Sequence, residues 1–205
     1  MANGTRDLPP TPSAALELKE ERQLVREGYD FLDEKRLLLA SELLKELSRY
    51  EERLAEFTAL HDKAREAVAS AMIFHGLHGL QVYPAEPLEN AQIRTTTQSY
   101  LGVSVSESEL SLSVPAQPPY AELPSPEAEQ CRKLFSEILS MAAVLAAMAG
   151  NLFRLVDEYR RTERRARALE DVLLPEIEET LHDILAHLED TDLEEIIRTR
   201  LKYQH

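Results

Sequence analysis

From Cys131 onward the apolar residues recur at alternating steps of three and four: Cys131, Leu134, Ile138, Met141, Leu145, Met148, Leu152, Leu155, Tyr159, Thr162, Ala166, Leu169 and Leu173. A repeat of 3.5 residues turns one narrow stripe of an α-helix toward a partner, so this spacing dictates a coiled coil. Thr162 is the one clearly polar member of the series. An earlier tract repeats the pattern at Leu47, Tyr50, Leu54, Phe57, His61, Ala64, Val68 and Ala71. Proline inside a helix removes a hydrogen bond and clashes with the preceding turn, and both tracts are nearly free of it. Nothing interrupts the chain between Pro12 and Pro84, and only Pro175 does so after Pro126. Two such tracts around a short middle segment fold back most simply as an antiparallel pair. The expected fold is therefore mostly α, a long antiparallel two-helix coiled coil with a small central β-hairpin or loop region. Its parts are a flexible leader over 1–11, an N-terminal coiled-coil helix over 12–80, a central region with a β-hairpin and a Pro-rich loop over 81–126, and a C-terminal coiled-coil helix over 127–205.

Local signals place the helix ends. Thr11 is suited to cap the first helix with Pro12 at its first position, and Ser125 with Pro126 does the same for the second. Gly76 and Gly79 weaken the far end of helix one. The steps Leu39–Leu43–Leu47 and Leu173–Ile177–Leu181 are each four and four, which predicts a stutter at both places. Register follows from size: setting Ala64, Ala67, Ala69 and Ala71 against Ala142, Ala143, Ala146, Ala147 and Ala149 lets the backbones approach. That alignment predicts Leu39 near Leu174 and Leu18 near Glu195.

In the middle, Ile93–Gln98 and Val103–Ser106 are β-branched and alternate at period two. With Ser99-Tyr-Leu-Gly102 between them they predict a short hairpin, Gly102 supplying the unusual backbone angle. Ser111 to Pro126 reads as extended.

Composition narrows the function classes. The chain carries 23 Lys and Arg against 37 Asp and Glu, a formal charge of −14. Affinity for phosphates comes chiefly from basic side chains, so this balance argues against nucleic acid and against anionic membrane surfaces. A lone Cys131, placed on the seam, predicts a buried structural thiol in a reducing compartment and no disulfide framework. The N-terminus has no apolar core of a signal peptide, and no apolar run is expected to reach the roughly 18–20 residues that span a bilayer. Direct membrane insertion is not expected.

No catalytic signature, phosphate loop or nucleophile elbow is present, and no catalytic residue, metal ligand or cofactor-binding residue is assigned. His75 and His78 stand three apart, as metal ligands sometimes do, but no neighbouring Cys, Asp or Glu completes a set, which leaves a helix-end pair. Two charged features remain. Arg160, Arg161, Arg164, Arg165 and Arg167 cluster within two turns. They read either as a solvated band paired to Glu46, Glu51 or Glu52, or as a contact for an acidic partner. From Glu170 to Glu195 there are eleven Asp or Glu and no Lys or Arg. Lys19, Arg22, Arg26, Lys35 and Arg36 of helix one, or a basic sleeve, are expected to balance them.

Three segments resemble the D subunit of the V/A-type (vacuolar and archaeal-type) rotary ATPases. Val25-Arg-Glu-Gly-Tyr-Asp-Phe-Leu-Asp-Glu-Lys-Arg36 is similar to the family's helix-one motif. Arg160-Arg-Thr-Glu-Arg-Arg-Ala-Arg-Ala-Leu-Glu170 followed by Pro175-Glu-Ile-Glu-Glu-Thr180 is similar to its Arg-Arg-Thr-x-Arg-Arg segment. Tyr100-Leu-Gly-Val-Ser-Val105 resembles its central hairpin. The family's Asn before Ala-Leu-Glu is here Arg167. The resemblance implies a non-catalytic central rotor shaft that couples ATP synthesis or hydrolysis in a ring of catalytic A and B subunits to proton or sodium translocation. It implies the F subunit and the membrane-side stalk's C subunit as further partners, and a cytoplasmic place peripheral to the membrane. The partner-binding residues it points to are Gly28, Lys35, Arg36, Tyr100, Gly102, Arg160, Arg161, Arg164, Arg165, Arg167 and Pro175. The rival reading of the same helices is a non-rotary coiled-coil adaptor or scaffold.

Overall fold

The computed structural model describes residues 9–84, 88, 91–112, 121 and 123–202. Residues 1–8 of the leader expected over 1–11 and most of the Pro-rich loop, 113–120 and 122, lie outside the described residues. In order, the chain forms α1 (Pro12–Val82), β1 (Gln92–Tyr100), β2 (Val103–Ser111), α2 (Pro126–Ala168), a π-helical turn (Leu169–Leu173) and α3 (Leu174–Lys202). It is mostly helical, with a two-stranded antiparallel sheet in the middle. Thr11 caps α1 by accepting the Ala14 N–H at 3.2 Å, and Ser125 caps α2 by accepting the Ala128 N–H at 3.2 Å.

The residues divide into two compact units, one made of Met1–Leu38 with Tyr159–His205, the other of Leu39–Glu158. In the first unit Ala14, Ala15 and Leu18 of α1 pack with Ile177, Leu181 and Ile184 of α3, and Val25, Leu173, Leu185 and Leu188 close around them. Gly28 faces Leu169, whose Cδ1 would lie 3.7 Å from a Cβ built there. The pairing is antiparallel, but its register is not the expected one. Leu18 packs in one cluster with Ile177, Leu181 and Ile184, not beside Glu195. Sliding one helix by whole heptads returns the same stripe to the partner, so periodicity alone does not fix an alignment.

The two expected stutters also part company. Around Pro175 the seam runs Leu169, Leu173, Ile177, Leu181, Ile184, one residue longer than alternate steps of three and four allow. A π turn holds one residue more than an α turn, and Leu169–Leu173 is such a turn, closed by the Leu174 N–H on the Leu169 carbonyl. Pro175 has no N–H to give the carbonyl four residues back, so the looser turn before it also relieves a clash. Near Leu43 there is no break. Within α1 the residue with non-helical angles is Gly76 (φ 69°, ψ 170°). The seam there keeps its spacing by passing from Leu39 and Leu43 to Glu46 and Tyr50. Glu46 is only 8 % exposed, whereas Leu47 is 36 % exposed.

In the second unit the hairpin pairs Gln92 with Ser111 through Tyr100 with Val103. Its strands are longer and its turn tighter than expected. Leu101 (φ 49°) and Gly102 (φ 85°) both hold positive φ, as a two-residue turn matching the strand twist requires. The alanine-rich face of α2 is the seat of this hairpin: Ala143, Ala146, Ala147 and Gly150 line a cleft with Ile93, Thr95, Ser106 and Ser108. The small residues admit strands there. That stretch also corrects the expectation about apolar runs. Within the helical span from Pro126 an 18-residue window reaches a mean hydropathy of 1.7 with 22 % of it buried, long and apolar enough by composition to cross a membrane.

Candidate functional site

In the first unit the α2 seam turns Thr162 and Ala166 inward, and both are about 1 % exposed. Helical geometry then sends Arg160, Arg161, Arg164, Arg165 and Arg167 outward, and all five are exposed. Arg167 pairs with Glu163 one turn back on its own helix at 2.8 Å. Of the acids expected opposite the cluster, Glu46 is engaged by Asn151 at 3.3 Å and Arg49 at 3.8 Å.

On α1 of this unit Arg36 forms an ion pair with Asp33, and Arg36 and Lys35 are half-buried. Gly28 lies against Leu169, where a Cβ would meet only ordinary contact, so close packing does not by itself demand glycine. Its neighbour Tyr29 donates a hydrogen bond to Glu170. Burial first, then the charge of Glu170 and this bond, hold the Tyr29 hydroxyl above its ordinary pKa. Leu24, Phe31 and Leu38 stand seven apart on α1 and are exposed, Phe31 by 66 %. This second apolar stripe escaped the sequence reading, although its heptad spacing was there to see.

In the second unit Tyr100 is half-buried beside the turn, Gly102 is exposed at the tip, and Val103 is buried. The centre is polar. Asn151, 2 % exposed, accepts from the Ser106 N–H at 2.8 Å and from Arg154 Nη2 at 2.6 Å. It donates to the Ser106 carbonyl at 2.9 Å and to Glu46 Oε1 at 3.3 Å. Asn151 and Arg154 were not singled out by sequence, and Glu46 and Ser106 were named only as an acid opposite the arginines and as a strand end. The available signal was one amide beside a long alanine stretch.

At the other end of this unit α1 returns to α2 through polar contacts. His75 Nε2 lies 2.6 Å from Ser125 Oγ, so this histidine steadies the α2 cap. Tyr83 donates to Glu129 at 3.1 Å, and Glu129 in turn accepts from Arg132 at 2.8 Å. Burial, followed by the bond to Glu129 and its charge, raises the Tyr83 pKa. Cys131 is half-buried, less enclosed than expected, with its pKa raised by that burial. It lines a cleft of about 290 Å³ with Leu80, Tyr83, Phe135 and Leu139.

A family model describing the D subunit of ATP synthase matches residues 14–202. The chain is 26% identical over 193 residues to the D subunit of a V-type ATP synthase from Thermotoga neapolitana, covering 93% of this chain and 94% of the relative. It is 30% identical over 198 residues to the D subunit of an A-type ATP synthase from Methanoregula boonei, covering 95% of each. A third relative, the A-type D subunit of Thermococcus sibiricus, is 29% identical over 197 residues, covering 93% of this chain and 91% of the relative.

Proposed function

The chain belongs to the family of ATP synthase D subunits, and from that premise we propose that it is the central rotor shaft of a V/A-type rotary ATPase. The observation that carries this reading is the extent of the family match, residues 14–202, which takes in both helix-paired units and the hairpin. The shaft does no covalent chemistry. It turns inside a ring of catalytic A and B subunits and links their ATP synthesis or hydrolysis to proton or sodium flow, on the cytoplasmic side of the membrane. Each shaft angle stabilises one conformer of each neighbour by differential contact, which is how an inert axle shifts populations. Outside the ring it is held by two further partners, the F and the membrane-side C subunits.

The contact residues in this reading are Gly28, Lys35, Arg36, Arg160, Arg161, Arg164, Arg165, Arg167 and Pro175 along the helices, with Tyr100 and Gly102 on the hairpin. Supporting it, the five arginines are all exposed. The π turn before Pro175 supplies the irregularity that lets a shaft distinguish one ring position from the next.

Changing Arg164 and Arg165 together to Glu tests the assignment. Both are exposed, so the stability of the chain is expected to move by no more than about 0.5 kcal/mol. Assembly with the A/B ring, followed by co-purification, is expected to weaken, or ATP hydrolysis to run without rotation. An assembled ATPase of unaltered activity removes these arginines from the contact. A stable homodimer that ignores co-expressed ring subunits overturns the shaft in favour of an adaptor.

A further inference from the structure

The hairpin of the second unit has few apolar contacts to hold it. Every residue of β1 from Gln92 to Ser99 is exposed, and Val103 is the buried member of β2. A two-stranded sheet is only marginally stable alone, so something else must fix it on the helices.

We propose that Asn151 is that fixture: a single buried carboxamide that clamps the hairpin to α2 and pins α1 against α2 at the same height. An asparagine side chain offers two acceptor sites and two donors, and all four are used here. The Oδ1 atom takes the Ser106 N–H and Arg154 Nη2, and the Nδ2 atom gives to the Ser106 carbonyl and Glu46 Oε1. Partner chemistry fixes the orientation of the amide. Turning it over would set the amino group against a guanidinium and a backbone N–H, and the oxygen against a carbonyl and a carboxylate.

The contact with Ser106 has the form of a strand pairing. Ser106 stands opposite Thr97, yet its own N–H and C=O both bond to Asn151. In an antiparallel ladder every second residue turns both backbone groups to the outer edge. The carboxamide meets that edge as the peptide of a third strand would. Arg154 adds a brace, reaching Asn151 at 2.6 Å and Ser106 Oγ at 3.4 Å. The other donor reaches Glu46, which sits on the α1 seam in place of an aliphatic residue. A polar residue at one seam position is a known way to select one alignment of a coiled coil. The bond from Asn151 reaches Glu46 only where α1 lies as it does.

This clamp is a property of the chain, and it stands or falls separately from the shaft reading. If the chain is a shaft, the hairpin turns with the helices as one part.

The test uses the full-length chain and hydrogen exchange read by mass spectrometry. Asn151→Leu removes every bond of the clamp while filling its volume. Amides over residues 92–111 are expected to exchange at least tenfold faster, with helix content by circular dichroism unchanged. Unchanged protection of the hairpin overturns the proposal. Should that variant not fold, Asn151→Asp and its combination with Glu46→Gln decide the matter. The single change sets two carboxylates side by side and lowers the thermal midpoint. Adding Glu46→Gln returns a donor between the helices and is expected to recover at least half of that drop, while the hairpin still exchanges fast. A double variant no more stable than the single one, or one with full hairpin protection, refutes the clamp.

Discussion

The two units differ in what crosses between their helices. In the first, Ala14, Ala15 and Leu18 meet Ile177, Leu181 and Ile184 in an aliphatic zip. The second also buries apolar residues, among them Leu39, Ala64 and Ala71 of α1 and Ile138, Leu145 and Leu155 of α2. There, however, hydrogen bonds cross as well: Glu46 to Asn151, His75 to Ser125, and Tyr83, just beyond α1, to Glu129. An aliphatic stripe repeats, so it says which faces meet and leaves their sliding position open. A polar pair is satisfied at one place and costs free energy at every other. Apolar burial therefore supplies strength in both units, and the polar contacts of the second add addressing.

The sharpest way to break this contrast is to truncate each means in turn. Leu18→Ala in the aliphatic unit is expected to cost about 2–5 kcal/mol, the range for a fully buried leucine. Denaturant unfolding measures that loss, and hydrogen exchange over residues 92–111 should stay as it was. A loss shared equally by the hairpin would show that the two units unfold as one.

Gly76→Ala probes the bend in α1 instead. Nothing lies within 4 Å of a Cβ built there, so the penalty comes from the backbone alone, whose φ of 69° suits glycine. About 1–3 kcal/mol is expected, the usual cost of forcing a side chain into such a region. Stability equal to the parent would mean that the helix straightens through residue 76 without consequence.

Tyr83→Phe gives the smallest change, about 0.5–1.5 kcal/mol for one hydrogen bond. It carries a pH signature. The Tyr83 pKa is raised above the ordinary 10.0, so the folded state holds its proton more tightly than the unfolded one. The stabilisation is complete below the ordinary value and is lost as pH climbs through the raised one. Unfolding followed between neutral and strongly alkaline pH should show that loss in the parent and a shallower one in Tyr83→Phe. Parallel curves would remove the bond from the account.

Much of the architecture was legible because it rests on repeating or local chemistry. Every seam position from Cys131 to Leu173 is buried or half-buried. Thr11 and Ser125 cap their helices because a side-chain oxygen beside a proline-initiated turn has one good use. The β-branched alternation gave the hairpin, though its turn proved tighter. At the candidate site the arginine band was visible as a motif. Its exposure followed from the seam, and its pairing partners did not. Glu46 was passed over as a seam residue because Leu47 beside it fits an apolar template better. The alanine stretch suggested close helices, whereas small side chains admit a strand as readily.

The sequence by itself determined that two helices pair, which stripe of α2 faces inward, where the helices begin, and that the seam near Pro175 has a residue to spare. On α1 the expected stripe is buried at Ala64 and Ala71 but exposed at Leu47, Leu54 and His61. Only the tertiary structure decided how far one helix slides along the other and what lies on the alanine face. A heptad pattern maps onto itself after every seven residues, so all alignments that keep the stripe look alike from the sequence. The difference lies in contacts that do not repeat. One amide with four hydrogen bonds, to Glu46 of α1, Ser106 of the hairpin and Arg154 of its own helix, singles out one alignment, and Glu46 and Ser106 are distant from it in sequence.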